Sequence, residues 1–280
     1  MKFRKTTALS LMLTLAASAS AQVFFKVEGN GLTSPSYLFG THHLAPVSKI
    51  EEFGASGAFT SAEYVVGEID MTQDQMQLSA AMQPYMIAPT DSTISKVISP
   101  EIYDKISGEF EKWAPMPGMK LNMLDMLKPM AVTSMVTVGM VAKDMPDYNP
   151  QEQLDTWFQT QGKASNKTII PLETPEFQAK MLFCTTPIAY QAEALVEMLS
   201  DPEKSMSQVK ALNEAYNRQD LGAMIKLSED EDSHPEFMTA LLDRRNADWL
   251  TKLPDIMKKG SSFVAVGALH LAGDKGIVEG

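Results

Sequence analysis

The sequence predicts an α/β protein with a small mixed or parallel sheet from two related halves and a large helical complement. Three observations carry that expectation. Short runs rich in β-branched and aromatic residues recur along the chain, each bounded by turn formers. Two of them, YVVGEI (64–69) and FVAVG (263–267), are almost continuously apolar, the pattern of a strand covered on both faces. Long helix-periodic stretches separate these runs, as layered α/β chains require.

In chain order, the first segment is MKFRKTTALSLMLTLAASASAQ. A basic start, a short apolar run and small residues at 19–21 predict a secretory signal peptide over 1–21, with cleavage after Ala21 and one domain over 22–280. No Cys follows the cleavage point, so no lipid anchor is expected. Cleavage leaves 259 of the 280 residues, enough for a large core. It also removes Lys2, Arg4 and Lys5, which takes the formal charge from −11 to −14. A nucleic-acid or anionic-membrane surface is excluded at that charge. No later segment reaches the ~20 apolar residues of a membrane span. The expected location is therefore the periplasm or the outside of the cell; oligomeric state is not legible.

Strands are predicted in VFFKVEG (from Val23), SYLFG (Ser36 to Gly40) and EYVVGEID (from Glu63). A helical block then runs from about Ile94 to Glu197 and contains the strand-like KTIIPLE (from Lys167). A second helical block passes through 207–228 and 235–259 before the last strand, SSFVAVG from Ser261. The acidic run Glu229 to Asp232 between its two parts is expected to be a solvated loop. Met116, Met119, Met123, Met126 and Met130 recur at helical spacing and predict a soft core stripe, kinked or ended by Pro129. Cys184 is the only cysteine, which forbids an internal disulfide and predicts a buried, inert thiol.

One phrase occurs twice, each time directly after an apolar run: GTHHLA (Gly40 to Ala45) and GALHLA (Gly267 to Ala272). His43 and His270 thus sit beyond the carboxyl ends of two strands, where open α/β sheets place ligands. Two further strands end in carboxylates, Glu68 and Glu173. Two imidazoles and one or two carboxylates would suit Mn, Fe, Co or Zn, and such a metal activates water. Asp70, two positions beyond Glu68, is a possible second carboxylate beside Glu173. His42 is expected to point away from His43 on an extended backbone. The opposing reading makes each histidine a cap of backbone groups and each glutamate a surface anion. No Gly-x-Ser-x-Gly elbow, His-Glu-x-x-His helix or P-loop is present.

The order of these motifs resembles the TraB/PrgY/GumN group, which includes the TIKI metalloproteases. The resemblance lies in YLFGTHHLAP, AEYVVGEID, QLDTWFQTQGK, IIPLETPEFQ, DRRNADW and FVAVGALHLAGDKG, and spans nearly all of the mature chain. It implies an α/β fold of two related halves and a divalent metal, Mn, Co or Zn, held by His43, His270 and Glu68. It also matches Arg245 and Asn246 to the family's Arg-Asn pair, for holding a substrate carbonyl or orienting ligands. The local alternative is a helix whose Arg245 pairs with Asp243 or Asp248. Family members usually continue past the second histidine motif, so a truncated copy is expected here. The resulting expectation is an exported metal-dependent peptidase with Glu68, Arg245 and Asn246 as catalytic groups and a peptide or protein substrate. The alternative is an exported binder that sequesters a peptide or haem-like ligand in the same cleft.

Overall fold

Four parallel strands and one antiparallel edge strand form the sheet in a computed structural model. The structure describes residues 22–146, 148–150, 152–228 and 234–280. The expected leader at 1–21 and the acidic run at 229–232 lie outside the described residues. All five predicted β-type runs are strands: β1 (Phe24–Val27), β2 (Ser36–Thr41), β3 (Tyr64–Gly67), β4 (Thr168–Pro171) and β5 (Ser262–Gly267). Their order across the sheet is β1-β2-β5-β3-β4. Only β1 runs antiparallel, paired with β2. The last strand in sequence therefore lies between the second and third.

Burial follows from that order. Central β5 is buried at Ser262 through Val266, which explains its continuous apolar run. Edge strand β4 is exposed at Thr168 and at Pro171, a residue that only an edge tolerates. Side chains alternate between two cores, as a period of two demands. Phe39, Val65, Phe263 and Ala265 join Phe59, Phe158 and Tyr216 on one face. Leu38, Val66, Val264 and Val266 join Trp249, Leu253 and Ile256 on the other. A third cluster, Ile94 to Met206, is built by helices packed on one another.

Several helices begin where a capping side chain precedes proline. Ser99, Thr174 and Asp201 each accept an N–H of the first turn, and Pro100, Pro175 and Pro202 follow at the first helical position. Among the described residues, no helix is long and apolar enough to cross a membrane.

Two expectations are corrected here. The methionine stripe is not one helix face: a 3-10 turn at Leu121–Leu124 interrupts it, and Met116, Met123 and Met126 are exposed. Pro129 starts the helix Pro129–Asp144, where its missing N–H costs nothing. Cys184 is exposed, because it closes the helix Pro175–Cys184 at the surface, where Lys128 Nζ donates to its Sγ at 3.0 Å.

Candidate active site at the strand ends

The sheet register decides what can meet. Thr41 lies opposite Gly267 and Gly40 opposite Val266, so the two Gly-x-x-His phrases leave the sheet side by side. A Cβ at Gly40 would stand 2.9 Å from Ala268 Cα; glycine is what lets the two phrases touch. Tyr216 Oη donates to the Gly40 carbonyl at 2.8 Å and fixes this corner. Beside them, β3 runs into Glu68, and β4 runs through Leu172 into Glu173. Above these ends lies a cleft of about 550 Å³ whose floor holds His42, His43, Glu68, Arg245 and His270. Its walls are largely apolar, with Met71, Leu78, Met82, Leu182, Leu212 and Met224 among them.

Arg245 is the centre of the floor. It comes from the helix Arg244–Met257 and is 3% exposed. All five of its N–H donors have acceptors. Nε donates to Glu173 Oε2 at 3.0 Å, and Nη2 to Glu173 Oε1 at 2.6 Å and Glu68 Oε2 at 2.5 Å. Nη1 donates to the Leu241 carbonyl and to His270 Nε2, both at 3.0 Å. Its plane also lies over the Trp249 ring, 4.7 Å from the centroid. Burial opposes its charge, but Glu68 and Glu173 outweigh burial and keep it protonated.

The hydrogen bonds fix the His270 tautomer. Asn246 Nδ2 donates to the Lys275 carbonyl at 2.9 Å, so Asn246 Oδ1 is an acceptor for His270 Nδ1 at 2.6 Å. Nδ1 therefore carries the proton, and the Nε2 lone pair accepts from Arg245 Nη1. Burial, against the attraction of Glu68, lowers this histidine to about 4 and keeps it neutral.

The two carboxylates are driven apart. Burial alone would raise Glu68, but the attractions of His270 and Arg245 and the bond from Gly267 N–H (2.9 Å) hold it at about 2. Glu173 is pushed upward by burial despite its bonds to Arg245. Gln178 Nε2 spans the pair, at 2.9 Å from Glu68 Oε2 and 3.1 Å from Glu173 Oε1.

His43 belongs to a second arm. Its Nδ1 stands 3.3 Å from Asp155 Oδ2, while Thr41 Oγ1 donates to Asp155 Oδ1 at 2.5 Å. The close Asp155 carboxylate raises His43 to about 9. Although crowded within the cleft, the imidazole is 75% accessible, so water screens part of that attraction. His42 also lines the cleft, because the backbone turns after Thr41 instead of staying extended. Its ring packs 5.1 Å from Tyr216, and burial lowers it to about 4.

Glu68, Glu173, Arg245, Asn246 and His270 are thus joined in one hydrogen-bonded network, with His43 across the cleft floor. Asp70 is turned aside, accepting from the N–H and hydroxyl of Thr72 at 2.9 and 2.7 Å. The local pairing of Arg245 does not form: Asp243 takes Lys275 and Asp248 takes Lys252. Residue-level reading missed Asp155 and Gln178, although both stand inside the phrases QLDTWFQTQGK and IIPLETPEFQ that carry the resemblance.

Among the described residues, no group of three or more His, Cys, Asp or Glu stands arranged to hold a metal. The chemistry of the donors nevertheless fits a divalent cation. His270 is anchored through Nδ1 to Asn246 Oδ1, as ligating imidazoles usually are, and His43 Nδ1 has the Asp155 carboxylate 3.3 Å away. Glu68 Oε1 stands 3.7 Å from His270 Nε2. Compared with known proteins, the chain matches the model of the TraB/PrgY/gumN family over residues 23–280. No curated protein and no solved structure matches.

Proposed function

The chain belongs to the TraB/PrgY/gumN family, and from that premise we propose that it is an exported, metal-dependent hydrolase of peptides. The observation that carries the reading is the pair of histidines at the cleft floor. Asn246 takes the Nδ1 of His270 and Asp155 stands beside that of His43; His270 Nε2, which accepts from Arg245, and the His43 ring, once deprotonated, would then be ligands beside Glu68. A divalent cation bound by His43, His270 and Glu68 would supply an activated water and polarise a carbonyl.

The chain's own groups supply the rest. Glu68, ionised down to about 2, keeps its negative charge in the cleft for a bound cation. Arg245 and the Asn246–His270 pair hold that carboxylate and imidazole in place, and the guanidinium offers donors to a substrate carbonyl. The Met and Leu walls fit a bulky apolar side chain next to the scissile bond, and methionine adapts to several shapes. Export rests on the leader-like segment at 1–21. N-terminal sequencing of exported protein should begin at Gln22; a chain that keeps Met1 refutes export by cleavage.

The test is elemental analysis of the mature protein, followed by a mixed peptide library with Mn, Co or Zn and mass spectrometry. We expect one metal per chain, lost in His43→Ala and His270→Ala, and cleavage beside apolar residues. Glu68→Gln removes the charge beside His270 and should weaken the metal and lower the rate with it. Absence of cleavage with every metal overturns the hydrolase reading. The second reading, a binder of peptide or haem-like ligands, is favoured by the full engagement of Glu68 Oε2 with Arg245 and Gln178. It predicts saturable ligand binding without turnover.

A further inference from the structure

A cation already occupies the ground between Glu68 and His270: the guanidinium of Arg245. Its five donors divide into two sets. Three bonds, to both oxygens of Glu173 and to the Leu241 carbonyl, tie it to groups outside the metal reading. Two, to Glu68 Oε2 and His270 Nε2, spend the ligand atoms themselves. We propose that Arg245 takes the place of the metal when none is bound, and that metal loading is an exchange in which Nη1 leaves His270 and Nη2 leaves Glu68. The inference rests on the reading of Glu68 and His270 as metal ligands.

Charge supports an exchange over simple addition. A guanidinium and a divalent ion sharing one carboxylate in a site this buried repel each other with little water to screen them. At His270 the exchange needs no proton movement, since Asn246 already keeps its proton on Nδ1. After it, Arg245 retains three of its five bonds, and its charge remains paired with Glu173, which is 2% exposed.

The segment that precedes Arg245 is built to yield. Thr239–Asp243 is a π-helix, a rare turn frequent at functional sites, and it supplies the Leu241 carbonyl held by Nη1. Space lies on both of its sides. Leu241 and Leu242 face the main cleft, while Thr239, Leu242 and Asp243 line a separate cavity of about 370 Å³. A shift of this turn withdraws the guanidinium without opening the sheet.

The test titrates chelator-stripped mature protein with Mn, Co or Zn by calorimetry, with the visible absorption of bound Co as a second readout of the ligand set. Three proteins are compared: wild type, Arg245→Lys, and the double variant Arg245→Met with Glu173→Gln. A lysine ammonium keeps a charge for Glu173 but has no fork to span Glu173, Glu68 and His270 together. The double variant removes both members of the buried pair, so it stays folded where a single loss strands a charge. We expect both variants to bind at least tenfold more tightly than wild type, with the same Co spectrum. Equal or weaker binding in the variants, with binding intact in wild type, overturns the exchange and makes Arg245 a group that orients the ligands. Absence of binding in all three proteins overturns the metal reading itself, and the exchange falls with it.

Discussion

Glu173→Gln tests whether the floor of the cleft is held by an ionised pair or by a neutral acid. The glutamate side chain is 2% exposed and takes Arg245 through both oxygens, at 3.0 and 2.6 Å. Glutamine keeps the shape, removes one charge and turns one acceptor into an NH₂ that faces an N–H of Arg245. Breaking a buried pair by removing one partner costs about 3–5 kcal/mol. Two effects reduce that figure here: burial already pushes the Glu173 carboxyl upward, and Glu68 remains as a partner for Arg245. The expected loss is therefore about 2–3 kcal/mol. In a domain of this size that lowers Tm by roughly 4–12 °C. Urea unfolding followed by circular dichroism reads it, on chelated protein so that metal does not add its own stabilisation. Arg245→Met combined with Glu173→Gln should recover part of the loss, since the interaction is shared. A change within ~0.5 kcal/mol for Glu173→Gln refutes the reasoning, because it is the result for a glutamate that is already protonated in the folded protein.

Asp155→Asn keeps the contact to Thr41 but weakens the anchor of His43; metal affinity should fall about 10–100-fold by calorimetry, and unchanged affinity removes Asp155 from the site. Stability of the metal-free protein should peak near pH 6.5. Below it, His42 and His270, both lowered to about 4, take up protons more readily unfolded than folded, so stability falls from 6.5 toward 4. Glu68, held at about 2, adds a loss from 4.5 toward 2. His43, raised to about 9, acts in the opposite direction, with its contribution present below 6.5 and lost as pH rises through 9, reduced by its exposure. Urea midpoints across pH 3–10 that rise continuously contradict this assignment. Gly162→Ala brings a Cβ to 2.7 Å from Val65 Cγ2, where the helix Leu154–Ala164 packs on β3; overpacking should cost about 1–3 kcal/mol, and a neutral effect would show that this contact is slack.

Strands and their ends were legible because both are local. An apolar run bounded by turn formers fixes a strand, and the strand's end fixes the residue that follows; hence His43, His270, Glu68 and Glu173 were found at one edge. Lateral order was not local, and nothing in SSFVAVG says that it lies between β2 and β3. The methionine stripe failed for the opposite reason, since its spacing fits a helix while Pro115, Pro117 and Gly118, the last at φ +79°, break the chain there.

Arg245 is the instructive case. Local partners, Asp243 and Asp248, were available by spacing, and choosing between them and a distant role needed the helix face. That face is present in the sequence: Arg245, Asn246, Trp249, Leu253, Ile256 and Met257 recur at helical spacing and are all buried. A charged residue in line with an apolar stripe cannot stay in water, and burial without partners is too costly to persist. Its partners must then come from other segments, and the strand ends of the predicted fold offer Glu68 and Glu173. The same logic reaches the exchange proposed for this site, because a stripe that buries one guanidinium against two carboxylates leaves a surplus negative charge, and that surplus is what a divalent cation would meet.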